Sequence, residues 1–263
     1  MEYGGGIGDI FSQIYSGSYN VLRDLKPEDT AEIILVCHNP HAKELFDNLP
    51  NRGQITIRDV GYFHANSHEE AIEIRKKLGL PATYPSLPPK DGIIRFYPNG
   101  EDKKILEEVT MDPFIVISAG AGLPERNIPQ ELLDTIVVYL NEYTNYKLIL
   151  VGRNYDRHGR FEPIPSKGNF INLIDKLTIP GTAALVQEAS GLITAHSSLN
   201  ILGWCERISQ LLLYPQSVLD RHMPNGKPDQ WLYGIGFPET VHTKFEDFKI
   251  EDLQNFIKIV NDR

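Results

Sequence analysis

Short, unbroken apolar runs that alternate with stretches of helical spacing set the tightest limit on how this chain can fold. Ile33-Ile34-Leu35-Val36-Cys37 is one such run, and 114–118, 147–151, 192–195 and 210–214 are others. A strand buried on both faces reads as a continuous apolar run, whereas a half-exposed one alternates. Residues 55–60 and a short segment around Phe170-Ile171 add weaker strand signals. Between these runs, residues 10–25, 41–48, 67–78, 129–143, 180–189 and 248–260 place apolar side chains at helical spacing. Ser67 is suited to cap its helix, and Pro180 to sit in the first turn of another. This alternation predicts the α/β class with parallel sheets.

The alternation is interrupted once. Pro81, Pro85, Pro88, Pro89 and Pro98, with Gly92 and Gly100, give the stretch from about 81 to 100 the composition of a linker. The expected architecture is therefore two Rossmann-like lobes with a cleft between them. The alternative is a single doubly wound sheet with an irregular insertion. Residues 1–110 form the first lobe, with the proline-rich linker from about 81, and 111–245 form the second. Residues 246–263 form a terminal helix that crosses back to the first lobe. Ligands of such sheets bind beyond the carboxyl ends of the strands, so the loops there are where chemistry is sought.

The chain has 263 residues, 41% hydrophobic and 23% charged, enough to bury a sizeable core in each lobe. Its formal net charge of -9 is poorly suited to tracking a phosphate backbone, which disfavours nucleic acid as a partner. No apolar run reaches the length of a membrane span, and no signal-peptide pattern precedes the first glycines. Cys37 and Cys205 lie in apolar surroundings and read as core thiols of a cytoplasmic protein. His38, His41, His64 and His68 lack the spacing of a metal site, so no metal is expected.

Several loops carry residues suited to binding or catalysis. Gly4-Gly5-Gly6-Ile7-Gly8-Asp9 runs straight into a helical pattern. Gly6 and Gly8 let a ligand approach the main chain, and Asp9 falls at a helix N-terminus where a carboxylate is stabilised as a general base. The loop is not the dinucleotide fingerprint, because Asp9 takes the third glycine position, nor is it a Walker loop. After 114–118 come Ser118, Gly120 and Arg126, the last a planar cationic fork for phosphate oxygens. After 147–151 come Gly152 and Arg153, and after 192–195 come His196, Ser197 and Ser198 with a helix just beyond. Hydroxyls and amides at a helix start suit an anion. The segment Trp231–Phe237 reads as packing against the final helix. Each loop taken singly is ordinary turn punctuation; their recurrence on one side of one lobe suggests a nucleotide diphosphate.

In these residues the chain resembles the GT-B glycosyltransferases, and among them the family-9, heptosyltransferase-like group. Gly6-Ile7-Gly8-Asp9-Ile10 is similar to that family's N-terminal loop, whose aspartate is the proposed base. Residues 118–129 resemble the loop that opens its second lobe, with Arg126 where a basic residue meets the donor phosphates. Residues 177–185 and 194–198 resemble its donor-site helix and the D-S-G segment that follows, with His196-Ser197-Ser198 in place of D-S-G. The resemblance implies metal-independent transfer of a sugar from a nucleotide-diphosphate donor to an acceptor hydroxyl, with no cofactor. The donor sits in the second lobe and the acceptor, a glycan or lipid-linked glycan, in the first. Other classes remain open: a non-catalytic nucleotide-sugar module, a transferase acting on DNA bases, and a nucleotide-cofactor oxidoreductase.

Overall fold

The computed structural model describes residues 2–5, 10, 11, 14, 22–37, 39, 41–61, 68–77, 94–154, 162–222 and 239–263. Contacts divide the chain into two compact units, residues 1–97 and 98–263. Each carries a parallel sheet of its own.

The first unit is built on strands β1 (Glu2–Gly5), β2 (Ala31–Cys37) and β3 (Ile55–Asp59). They lie in the order β1-β2-β3, all parallel, with Gly5 opposite Cys37 and Ala31 opposite Ile55. The run at the centre of β2 is buried on both faces, as its continuous apolar character requires. Helices α1 (Glu44–Asp47) and α2 (His68–Lys77) belong to this unit. Leu45 and Phe46 of α1 are buried, as are Ile10, Phe11, Ile14 and Leu22 from the expected first helix. Phe11 meets Phe96 edge to face, with ring centres 5.7 Å apart. Asp9, Gly6, Gly8, His38, His64 and the segment 231–237 lie outside the described residues, as do Ser67 and most of the proline-rich stretch.

The second unit opens with α3 (Gly100–Val109), an element the linker composition concealed. Strands β4 (Phe114–Ser118), β5 (Lys147–Leu150), β6 (Ile171–Asn172), β7 (Gly191–Ala195), β8 (Gln210–Tyr214) and β9 (Thr240–Lys244) form one sheet. Their order is β6-β5-β4-β7-β8-β9 and every neighbouring pair is parallel. Helices α4 (Gln130–Tyr143), α5 (Ile179–Glu188), α6 (Ser198–Cys205), α7 (Gln216–His222) and α8 (Ile250–Asn261) complete the unit. The residues of β4, β7 and β8 are buried throughout, so the sheet is covered on both faces.

The last helix buries Leu253, Phe256 and Val260 in the core of the second unit. Gly191 makes that approach possible, since a Cβ there would stand 2.7 Å from the Phe256 ring and 2.8 Å from a Val260 methyl. Cys37 is buried and Cys205 is half-buried, so the second thiol lies at the margin of the core. No helix among the described residues is long and apolar enough to cross a membrane.

Candidate functional site at the strand ends of the second unit

Strand order decides which loops meet. From β4 the chain moves outward to β5 and β6, then returns to the other side of β4 as β7. The connections after β4 and β7 therefore leave in opposite directions and open a crevice at their carboxyl ends, where sheets of this kind take ligands. Register brings Ser118 of β4 directly opposite Thr194 of β7. Both are buried.

Arg126 is presented to this crevice by a closed loop. The Ile128 amide donates to the Ala119 carbonyl at 2.8 Å, and the Ala121 amide donates to Asn127 Oδ1 at 2.9 Å. Within that frame a single 3-10 turn, Pro124–Arg126, carries the guanidinium. Arg126 Nη1 lies 3.5 Å from His196 Nδ1, which is 70 positions away in sequence. The His196 amide extends the ladder by donating to the Leu213 carbonyl at 3.2 Å, so the imidazole stands at the end of β7. Ser197 is the N-cap of α6, yet its side chain makes no capping bond. Its hydroxyl lies 3.3 Å from Thr194 Oγ1 instead. Arg126, His196 and Ser197 thus lie at one corner, and Ser198 is the first residue of α6.

Gly120, Gly152 and Arg153 fall on the other side of β4. The space where a Cβ of Gly120 or Gly152 would stand is filled by the carboxyl group of Glu162. Only 5% of Glu162 is exposed, and the Arg153 amide donates to its Oε1 at 3.4 Å. The Arg153 side chain turns toward the start of α5, with Nη2 3.4 Å from the Leu177 carbonyl oxygen. Glu162 is the residue that sequence reasoning missed. It follows no strand, and its sole trace in the sequence is the pair of distant glycines that make room for it.

Titratable groups near α6 are shaped by burial. Desolvation pushes the Cys205 thiol up to about 12, which leaves it protonated and unreactive at neutral pH. Desolvation also raises the Glu206 carboxyl from 4.5 to about 7, while Gln187 Nε2 of α5 donates to its Oε1. At the end of β8 the Tyr214 hydroxyl lies 3.0 Å from His242 Nδ1. Burial raises the tyrosine and lowers the histidine. Among the described residues no group of three or more His, Cys, Asp or Glu side chains is placed to hold a metal ion.

A parallel sheet with its order reversed beside β4 and polar loops at the reversal defines a Rossmann-like unit. Comparison with solved structures narrows the class to the fold of the GT-B heptosyltransferases. Over 99% of this chain and 98% of the other, the structure is similar to E. coli ADP-heptose LPS heptosyltransferase II, with a TM-score of 0.59 at 12% identity. It is also similar to E. coli heptosyltransferase WaaC solved with ADP-2-deoxy-2-fluoro heptose, with a TM-score of 0.53 at 8% identity over 98% of both chains. No family model matches the sequence, and no curated protein matches it.

Proposed function

We propose that this chain is a glycosyltransferase that moves a sugar from a nucleotide-diphosphate sugar to an acceptor hydroxyl. The observation that carries the reading is the meeting of Arg126, His196 and Ser197 where the sheet order reverses between β4 and β7. A guanidinium, an imidazole and a hydroxyl at a helix start form a set matched to phosphate oxygens. The fold shared with heptosyltransferases supports the same reading, and the ADP-sugar in one of those structures suggests adenine as the first base to test.

The geometry also orients the donor. β5 and β7 flank β4 at a separation of roughly 10 Å, so the corner with Arg126 and the pocket with Glu162 lie side by side. A carboxylate repels a diphosphate and accepts hydrogen bonds from hydroxyls. Phosphates therefore go to Arg126 and His196, and the ribose hydroxyls to Glu162.

In the reaction the acceptor oxygen attacks the anomeric carbon of the sugar. A new C–O bond forms there as the bond to the β-phosphate oxygen breaks, and the electron pair leaves with the nucleoside diphosphate. The acceptor proton passes to Asp9, which we assign as general base on the strength of the glycine-rich sequence that precedes it. Arg126 and the amides at Ser197 and Ser198 stabilise charge on the departing diphosphate, so the chemistry calls for no metal and no further cofactor. The first unit, residues 1–97, takes the acceptor, a glycan or lipid-linked glycan. The reaction belongs to the cytoplasm. The net charge of -9 argues against a DNA acceptor.

The test is release of nucleoside diphosphate from ADP-, GDP-, UDP- and CDP-sugars together with a gain of sugar mass on an acceptor glycan. Asp9→Asn is expected to keep donor affinity while transfer falls by a factor of about 10²–10⁴. Equal loss of binding and transfer in that variant would remove Asp9 from the role of base.

A further inference from the structure

Glu162 lies 8 positions beyond Asn154, and the bonds that hold it in place converge on two exposed residues. Asp175 adopts left-handed backbone, with a φ of 59°, a conformation a non-glycine residue takes only where its surroundings demand it. In that conformation its amide donates to the Gly152 carbonyl at 3.1 Å. Its carboxylate accepts from both amides of Asn154, the backbone N–H at 2.9 Å and Nδ2 at 2.8 Å. With Nδ2 committed to Asp175, the Asn154 side chain presents Oδ1 in the other direction. There it accepts the Glu162 amide at 2.9 Å. A flipped Asn154 would aim a donor at a donor, so Asp175 sets the orientation that Glu162 requires.

A second clasp holds the segment beyond Glu162. Gln130 Nε2 donates to the Ile164 carbonyl at 2.9 Å, and Asp134 of α4 accepts from the Ser166 amide at 2.7 Å and from the Ser166 hydroxyl. The Ser166 bonds hold the Asp134 carboxyl below the usual carboxylate range. Glu162 is thus fixed from both sides, while Gly120 and Gly152 keep the space for its carboxyl group.

We infer that Asn154 and Asp175 are positioning residues for the nucleoside of the donor: they hold the Glu162 carboxylate over Gly120 and Gly152, where it receives the ribose hydroxyls. The inference rests on the reading of the site as a nucleotide-sugar site. A structural role alone fits the clasp poorly. Asn154 and Asp175 are both exposed and bury little, and hydrogen bonds open to water contribute little to stability. The inward result of their bonds is the placement of one buried carboxyl group.

The experiment uses the full chain and calorimetric titration with ADP, GDP, UDP and CDP, each beside its 2′,3′-dideoxy counterpart. The wild type is expected to prefer the ribose form. Asn154→Ala and Asp175→Ala should each weaken the ribose form about tenfold and leave the dideoxy form unchanged, with little shift in melting temperature. Adding Glu162→Gln to Asn154→Ala should bring no further loss, because both act through one group. Asp175→Asn tolerates left-handed backbone and keeps an acceptor oxygen, so it should restore part of the preference. Variants that keep the full ribose preference, or that lose both ligand forms equally, would overturn the inference. A wild type that binds a diphosphate without ribose preference would overturn it while leaving the site a diphosphate site. A wild type that binds none of them would overturn both.

Discussion

Asp102 is 1% exposed and ties two helices together at their starts. It accepts from the Asn99 amide at 3.2 Å within the capping box of α3. It also accepts from the Thr178 amide at 3.0 Å and from the Thr178 hydroxyl, which itself caps α5 by accepting from the Gly181 amide. Asp102→Ala leaves the part-buried donors of Asn99 and Thr178 without this partner and is expected to cost about 1–3 kcal/mol in denaturant unfolding. Glu206 gives a pH signature instead. Its native carboxyl keeps a proton up to about 7 that the unfolded chain releases near 4.5. The folded state therefore binds more protons in that interval, and stability falls as pH rises through it. Glu206→Gln should raise the melting temperature at pH 8 relative to wild type and leave it nearly unchanged at pH 4. Ser118, Arg126, His196 and Ser197 were legible in the sequence because each sits at or just beyond the end of an apolar run. Glu162 was not, nor was the bond from Asp102 to Thr178, which joins residues 76 positions apart.

At the scale of elements, buried strands announce themselves, whereas of the edge strands β3 and β6 gave weaker signals and β9 gave none. β2, β4, β5, β7 and β8 match their apolar runs because both faces are covered. β9, Thr240–Lys244, has no apolar run to offer, since it pairs with β8 alone at the border of the sheet and none of its residues is buried. α3 was hidden by the prolines before it, although Asn99 and Asp102 form a capping signal that could have marked its start. The terminal helix was legible by its spacing, while the surface it covers followed only from the structure. That helix rests on Phe256, which is fully buried against Gly191. Phe256→Ala is expected to lower stability by about 3–5 kcal/mol, read from the shift of the urea midpoint. Gly191→Ala pushes into the same contact and should cost about 1–3 kcal/mol.

At the scale of the whole molecule, the alternation of runs and helices was enough to give the α/β class, and the reversal beside β4 turned separate loops into one site. Residues 98–263 carry their own six-stranded sheet and core, and α3 is bonded into them through Asp102 and Thr178. A fragment of 98–263 is therefore expected to unfold cooperatively by itself, and one that begins at 111 to be markedly less stable; equal stability would show that α3 contributes nothing to the unit. We propose that a nucleoside diphosphate binds at the reversal, held by Arg126. It is tested most directly by calorimetric titration of wild type and Arg126→Ala with ADP, GDP, UDP and CDP. One diphosphate should bind the wild type and bind the variant about 10–100-fold more weakly, as loss of a charge-assisted contact implies. Equal affinity for both proteins, or no binding of any diphosphate by the wild type, would contradict the claim.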